Sequence, residues 1–423
     1  MGRQRTGTKR GQAGTITALA LTVFAGGGAA LAEPPPAKEV RALWVVRTSI
    51  TSPEAVRQVI DDARKSGVNT LIVQVRGRGD AYYKGRWEPR TVALEDQPAD
   101  FDPLAETIKA AKKAGISVHA WLNTHLLANL NELPVQPDHV YNAHPEWLAV
   151  PRRAAAELYA MDPADPRYRE RIVAASREDT RELEGLYTAP SHPAVKDHLY
   201  RVFLDVVEGY DVDGVHFDYV RFPSPDFDYS KTALDRFRTA IDPTLSDEER
   251  RLLGGLVQSR PLVYVELFPQ AWERFRREQI TDLVERISTG VKARKPKVLV
   301  SAAVFASDED AFNRRFQDWK AWLERGLLDV VCPMAYTPDT EVWKRQIAIA
   351  RGFSFGKAVW AGIGAYRQPP ESALEKIELG RRIGVEGFVL FSYGDVTRPS
   401  ERAPAGDYLQ RIGKVAFGAT SVP

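Results

Sequence analysis

The sequence predicts a closed (β/α)8 TIM barrel with long loop insertions after its third and fourth strands. Eight short runs rich in β-branched and aromatic residues are continuously apolar, the pattern of parallel strands covered on both faces. Amphipathic stretches of helical period lie between them. Four of these stretches end in a glycine just before the next strand (Gly67, Gly115, Gly326 and Gly384), the C-cap signal that feeds an αβ loop.

In chain order the expected strands are Ala42–Arg47, Thr70–Val75, Ser117–Leu122, Gly214–Val220, Val298–Phe305, Leu328–Tyr336, Ala358–Ile363 and Gly387–Tyr393. The expected helices are Glu54–Lys65, Leu104–Ala114, Val195–Glu208, Trp272–Ala293, Arg314–Arg325, Glu341–Ala350, Ser372–Ile383 and Leu409–Phe417. An open doubly wound sheet is the competing arrangement, but no G-x-G-x-x-G follows an early strand, so a dinucleotide fold loses its main support. Two connections, residues 124–193 and 223–270, are too long for ordinary βα loops. Both begin at the C-terminal ends of strands, the face where barrels place their active sites.

The 423 residues suit one large barrel with insertions, and 44% apolar against 27% charged residues allows a sizeable core. A net charge of +2 excludes a basic nucleic-acid binder of the usual kind, and the single Cys332 excludes a disulfide framework. Arg3, Arg5, Lys9 and Arg10 precede the apolar run Ile16–Phe24 and the small-residue ending Ala30-Leu31-Ala32. This reads as a secretory signal peptide over 1–32, too short to span a membrane, followed by a Pro-rich linker over 33–38. The barrel is then expected over 39–417 and a loose tail over 418–423, in a secreted or envelope protein with no stable membrane span after cleavage.

The blocks Glu39-Val40-Arg41-Ala42-Leu43-Trp44-Val45 and His144-Pro145-Glu146-Trp147-Leu148 stand out, as does the run from Tyr210 to Pro223 (YDVDGVHFDYVRFP). With Gln317-Asp318-Trp319, Cys332-Pro333-Met334-Ala335-Tyr336 and Phe391-Ser392-Tyr393, these blocks in this order resemble the glycosyl hydrolase-like 10 family, over roughly residues 39–395. The resemblance implies a secreted glycoside-hydrolase barrel acting on a polysaccharide. One branch is implied to cut peptidoglycan glycans that lack peptide stems.

Glycosidic cleavage needs two carboxyl groups flanking the bond, one to protonate the leaving oxygen and one to attack or to activate water. Asp218 is the leading candidate, near the C-terminal end of the fourth strand in an otherwise apolar run. Asp213, before that strand, reads as a loop cap or a salt-bridge partner. Chitinases of family 18 carry a similar strand with a catalytic Glu two residues after its last Asp; Val220 stands there, which argues against substrate-assisted cleavage. In α-amylase-like barrels an Arg precedes the nucleophilic Asp by two residues; here it is His216, so Asp218 is kept as nucleophile or base with its role open.

The second carboxyl is expected among acids after later strands, with Asp308 and Asp339 preferred because Phe305 and Tyr336 offer apolar walls that raise a carboxyl's pKa. Glu266 and Asp395 are further candidates near the cleft. Arg47, Arg76, Asn123 and His216 are expected to meet substrate hydroxyls, Arg221 to do so or to hold Asp218 ionised, and Trp121, Trp147, Tyr336, Trp360 and Tyr393 to stack on sugar rings. His119 reads as a packed core histidine, and His125, His139 and His144 lack ligand spacing, so neither metal nor cofactor is expected. The alternative to an enzyme is an envelope carbohydrate-binding protein that keeps the cleft without turnover.

Overall fold

Ten strands form two sheets in the computed structural model, which describes residues 39–178, 183–403 and 405–419. They are β1 (Val40–Val45), β2 (Thr70–Arg76), β3 (Ser117–Asn123), β4 (Leu126–Ala128), β5 (Leu186–Tyr187), β6 (Gly214–Asp218), β7 (Leu299–Val304), β8 (Val330–Pro333), β9 (Ala358–Gly364) and β10 (Gly387–Phe391). Eight of them close a parallel barrel in the order β1–β10–β9–β8–β7–β6–β3–β2, while β4 and β5 pair antiparallel outside it. The expected signal peptide (1–32) and linker (33–38) lie outside the described residues, as do residues 420–423 of the expected tail.

Local chemistry starts the outer helices where expected. Ser52 and Asp102 accept hydrogen bonds from the amides of Ala55 and Ala105, each followed by a proline at the first helical position, and so open helices Pro53–Lys65 and Pro103–Lys113. Glycines 67, 115, 326 and 384 all adopt positive φ, as helix-ending glycines do. The single helix expected over 314–325 is a correction: Phe316 takes a left-handed φ of 54° and breaks the run. A short helix, Asp308–Asn313, precedes the break, and Trp319–Glu324 restarts after it with Asp318 as its cap.

Strand periodicity decides what faces the barrel axis. On β6, Val215 and Phe217 point outward, Phe217 packing 4.6 Å from the Phe203 ring on helix Pro193–Gly209. His216 and Asp218 therefore share the inward face, with Asp218 one step nearer the C-terminal rim. Below it the axis is filled by Trp44, Ile72, Trp121, Ala303, Cys332, Trp360 and Val389, so the interior is packed rather than hollow. His119 is buried there as expected; Gly214 makes room for it, since a Cβ at 214 would stand 2.3 Å from its Nδ1.

The two long connections share one core. Leu127, Leu158 and Tyr168 from the first meet Phe237 and Val263 from the second around Trp272, which opens from helix Pro269–Arg294 and is almost fully buried. This joint cap stands on the β3–β6 side of the rim. We predict that Trp272→Ala lowers stability by about 3–5 kcal/mol in urea titrations, the usual cost of emptying a packed aromatic site.

Candidate active site

Asp218 ends β6 with its backbone tied to the neighbouring strand: its carbonyl accepts the Thr124 amide at 2.7 Å. The next residue, Tyr219, adopts a left-handed φ of 51°, an unfavourable conformation for a tyrosine that turns the chain sharply after the strand. That turn lets the Tyr219 amide donate to Asp218 Oδ1 at 2.7 Å and carries Arg221 back over the rim.

Arg221 is nearly buried, with the Tyr219 ring 4.1 Å and the Phe305 ring 5.0 Å from its guanidinium carbon. Its Nη1 lies 3.6 Å from Asp218 Oδ1, and its Nη2 donates to Glu184 Oε1 at 3.0 Å. Glu184, in the insertion just before β5, also accepts the Tyr187 hydroxyl at 2.8 Å. One planar guanidinium thus spans two carboxyl groups. The two bridged oxygens, Asp218 Oδ1 and Glu184 Oε1, therefore lie within roughly 9.5 Å of each other, the upper separation paired-carboxylate glycosidases use.

The two acids are driven apart in strength. Burial dominates at Asp218 and pushes its pKa up to about 6, with the Glu184 charge adding to the rise; Arg221 and the Tyr219 amide offset only part of it. At Glu184 burial also works upward, but Arg221 and the Tyr187 hydroxyl outweigh it and hold the carboxyl below its ordinary range. A neutral acid beside an ionised one is the arrangement that acid/base cleavage uses.

Both acids open into a cleft of about 660 Å³ at the C-terminal rim. Trp44, Trp121, Tyr336 and Phe391 supply aromatic walls, and Gln74, Asn123 and Thr337 supply polar ones. Arg47, Arg78 and Arg367 also face it, and among the described residues none of the three has an ion-pair partner. Arg47 instead donates to Gln74 at 2.9 Å. Burial, followed by the nearby Arg47 charge, lowers the Arg78 pKa.

Of the residues expected from sequence, Asp218, Arg221, Arg47, Asn123, Trp121 and Tyr336 meet in this cleft. The others do not. Asp308 lines a separate hollow and accepts from Lys320 at 2.5 Å, which lowers its pKa, opposite to the need of a general acid. Asp339 caps helix Thr340–Gly352 through the Val342 amide, Asp395 closes a capping box with Ser392, and Glu266 pairs with Arg260 on the surface. Arg76 is fully buried in a bidentate pair with Glu88 and also donates to the carbonyls of Asn123, which ends β3, and Thr124. His216 lies below the cleft, accepting from the Trp44 indole at 3.2 Å and bonded to Ser301, while Trp360 packs on His119 in the barrel interior. Tyr393 turns outward to Asp62, and Trp147 stacks on His144 away from the cleft. Arg78, weighed from sequence with Arg76 against a surface salt bridge, also lines the cleft. Glu184 was not singled out: it sits in a charged loop segment that reads as solvated surface, and only the Arg221 contact distinguishes it.

Because the folded pKa of Asp218 is raised, its ionised form penalises the fold above about pH 6, and the penalty disappears below the unfolded value near 3.8. A carboxyl raised from 3.8 to about 6 costs the fold at most about 3 kcal/mol once it is ionised. We predict that Asp218→Asn is more stable than the parent at pH 7.5 and that the gain vanishes near pH 3.5, as followed by urea titration at each pH.

The model of the family described as glycosyl hydrolase-like 10 matches residues 39–182 and 175–351. The glycosyl hydrolase YngK of Bacillus subtilis is 22% identical over 418 residues, spanning 85% of this chain and 69% of the relative. The glycosyl hydrolase DigH of Escherichia coli (strain K12) is 23% identical over 354 residues, 76% of this chain and 68% of the relative. Among solved structures, the PgaB (BpsB) glycoside hydrolase domain of Bordetella bronchiseptica has a TM-score of 0.59 at 14% identity, covering 88% of this chain and 99% of that one. The catalytic domain of a β-amylase from Paenibacillus polymyxa also reaches 0.59 at 12% identity, covering 92% and 100%. These two share the barrel. With a family match across most of the chain, the protein belongs to the glycosyl hydrolase-like 10 family.

Proposed function

We propose that the chain is a secreted glycoside hydrolase that cuts a polysaccharide by paired-carboxylate catalysis, with peptidoglycan glycan strands as its substrate. The observation that carries the reading is the Arg221 guanidinium held between Asp218 and Glu184 at the floor of an aromatic cleft. Asp218, the more buried acid with a pKa near 6, protonates the glycosidic oxygen. Glu184, kept ionised by Arg221, faces the anomeric carbon as nucleophile or as base for water. The aromatic walls suit the C–H faces of pyranose rings.

Two observations support the substrate and compartment. Arg47, Arg78 and Arg367 bring positive charge to the cleft with no carboxylate at ion-pair distance among the described residues, although Asp80 and Glu132 lie near enough to act on Arg78, and this suits a glycan that carries its own carboxylates. The lactyl ether of muramic acid is such a group, exposed once peptide stems are removed. The N-terminal basic head, apolar run and Ala30-Leu31-Ala32 support export to the envelope.

Reducing ends released from peptide-free peptidoglycan glycans test the reading. The parent is expected to release them, and Asp218→Asn and Glu184→Gln to fall by at least 10³-fold; a parent no faster than its variants overturns the proposal. In the parent, kcat/KM is expected to decline as pH rises through about 6, when Asp218 loses its proton, and to decline on the acid side as Glu184 gains one. Arg78→Gln is expected to raise KM about 10- to 100-fold on the carboxylate-bearing glycan and to change it little on neutral oligosaccharides, measured side by side.

A further inference from the structure

A second hollow, of about 330 Å³, lies outside the cleft and shares no lining residue with it. Three distant segments build it: Trp87 from the loop after β2, His144 and Trp147 from the insertion after β3, and Asp197, His198 and Arg201 from helix Pro193–Gly209. Trp87 is 41% exposed, although the other large rings of the chain are mostly buried. The Arg201 guanidinium lies 4.9 Å from its ring centroid. Trp147 and His144 stack with centroids 3.8 Å apart and planes 6° from parallel.

The floor is rigidly built. His198 Nε2 lies 3.1 Å from Glu88 Oε1, and Glu88 is fully enclosed, its pKa lowered to about 2 by Arg76 and His198 against the effect of burial. The same Glu88 holds Arg76, which ends β2, so the imidazole is oriented by a buried ionic chain anchored to the barrel wall. Only Val140 and Ala194 contribute aliphatic surface to the hollow. His144 covers one face of Trp147, so the ring left open is Trp87, whose exposed surface beside imidazole, carboxylate and guanidinium matches a sugar that is apolar on its faces and hydroxylated at its edge. We propose that this hollow is a second glycan-binding site, which holds polymer at a distance from the catalytic cleft and performs no chemistry.

The test is adsorption to insoluble peptide-free peptidoglycan glycans and to chitin, in the full chain carrying Asp218→Asn so that the polymer stays intact. Trp87→Ala is expected to weaken adsorption about tenfold and Trp87→Phe to restore most of it. In the chain with Asp218 intact, Trp87→Ala is expected to leave turnover of a short soluble oligosaccharide unchanged. Equal adsorption by the Trp87→Ala chain, or no adsorption to either polymer before that substitution, overturns the proposal. Adsorption is read without turnover, so a Trp87 effect stands even if the hydrolase reading fails.

Discussion

The site depends on one guanidinium shared between two carboxyl groups. Burying Asp218 alone carries a large desolvation cost, and placing a second acid beside it adds repulsion; Arg221 relieves both. It does so unequally, since it donates a hydrogen bond to Glu184 at 3.0 Å and stands 3.6 Å from Asp218. That inequality leaves one acid able to keep its proton up to about pH 6 and the other ionised well below it. The barrel supplies the setting: β6 ends at the rim, Tyr219 turns the chain, and the β3 insertion returns Glu184 to the same arginine.

The joint core of the two insertions has a consequence for this geometry. Glu184 sits in a loop, yet the β4–β5 pair and the Tyr187 hydroxyl hold it against a rigid wall. Leu127 and Leu186 of that pair belong to the core that also contains Trp272, so the position of the second acid is coupled to packing far from the rim. A loop carries the residue, and a small hydrophobic core fixes it.

The barrel was legible because its strands are continuous apolar runs and its helices carry proline starts and glycine stops, each with a direct physical cause. Asp218 was legible for the same reason, as a charge in an apolar strand. The partner acid was not. Asp308 and Asp339 follow strands at the productive face, but a lysine claims the first and a helix amide the second. Proximity to a strand end does not reveal what a carboxylate bonds to. Glu184 reaches the site through a tertiary contact, 34 positions before Asp218 and in a charged stretch that carries no periodic signal. Arg76 misled in the opposite way: it ends a strand as expected, but Glu88 and the carbonyls of Asn123 and Thr124 consume its donors.

Titration of the Asp218 and Glu184 carboxyl carbons by NMR in the unliganded protein, with Arg221 present and with Arg221→Met, probes this shared guanidinium without intermediaries. Two well-separated transitions are expected in the parent, Asp218 near pH 6 and Glu184 below its ordinary range, with Glu184 moving up when the guanidinium is removed. Two overlapping transitions near pH 4 in the parent, unchanged by the loss of Arg221, would show that the arginine does not divide the two acids.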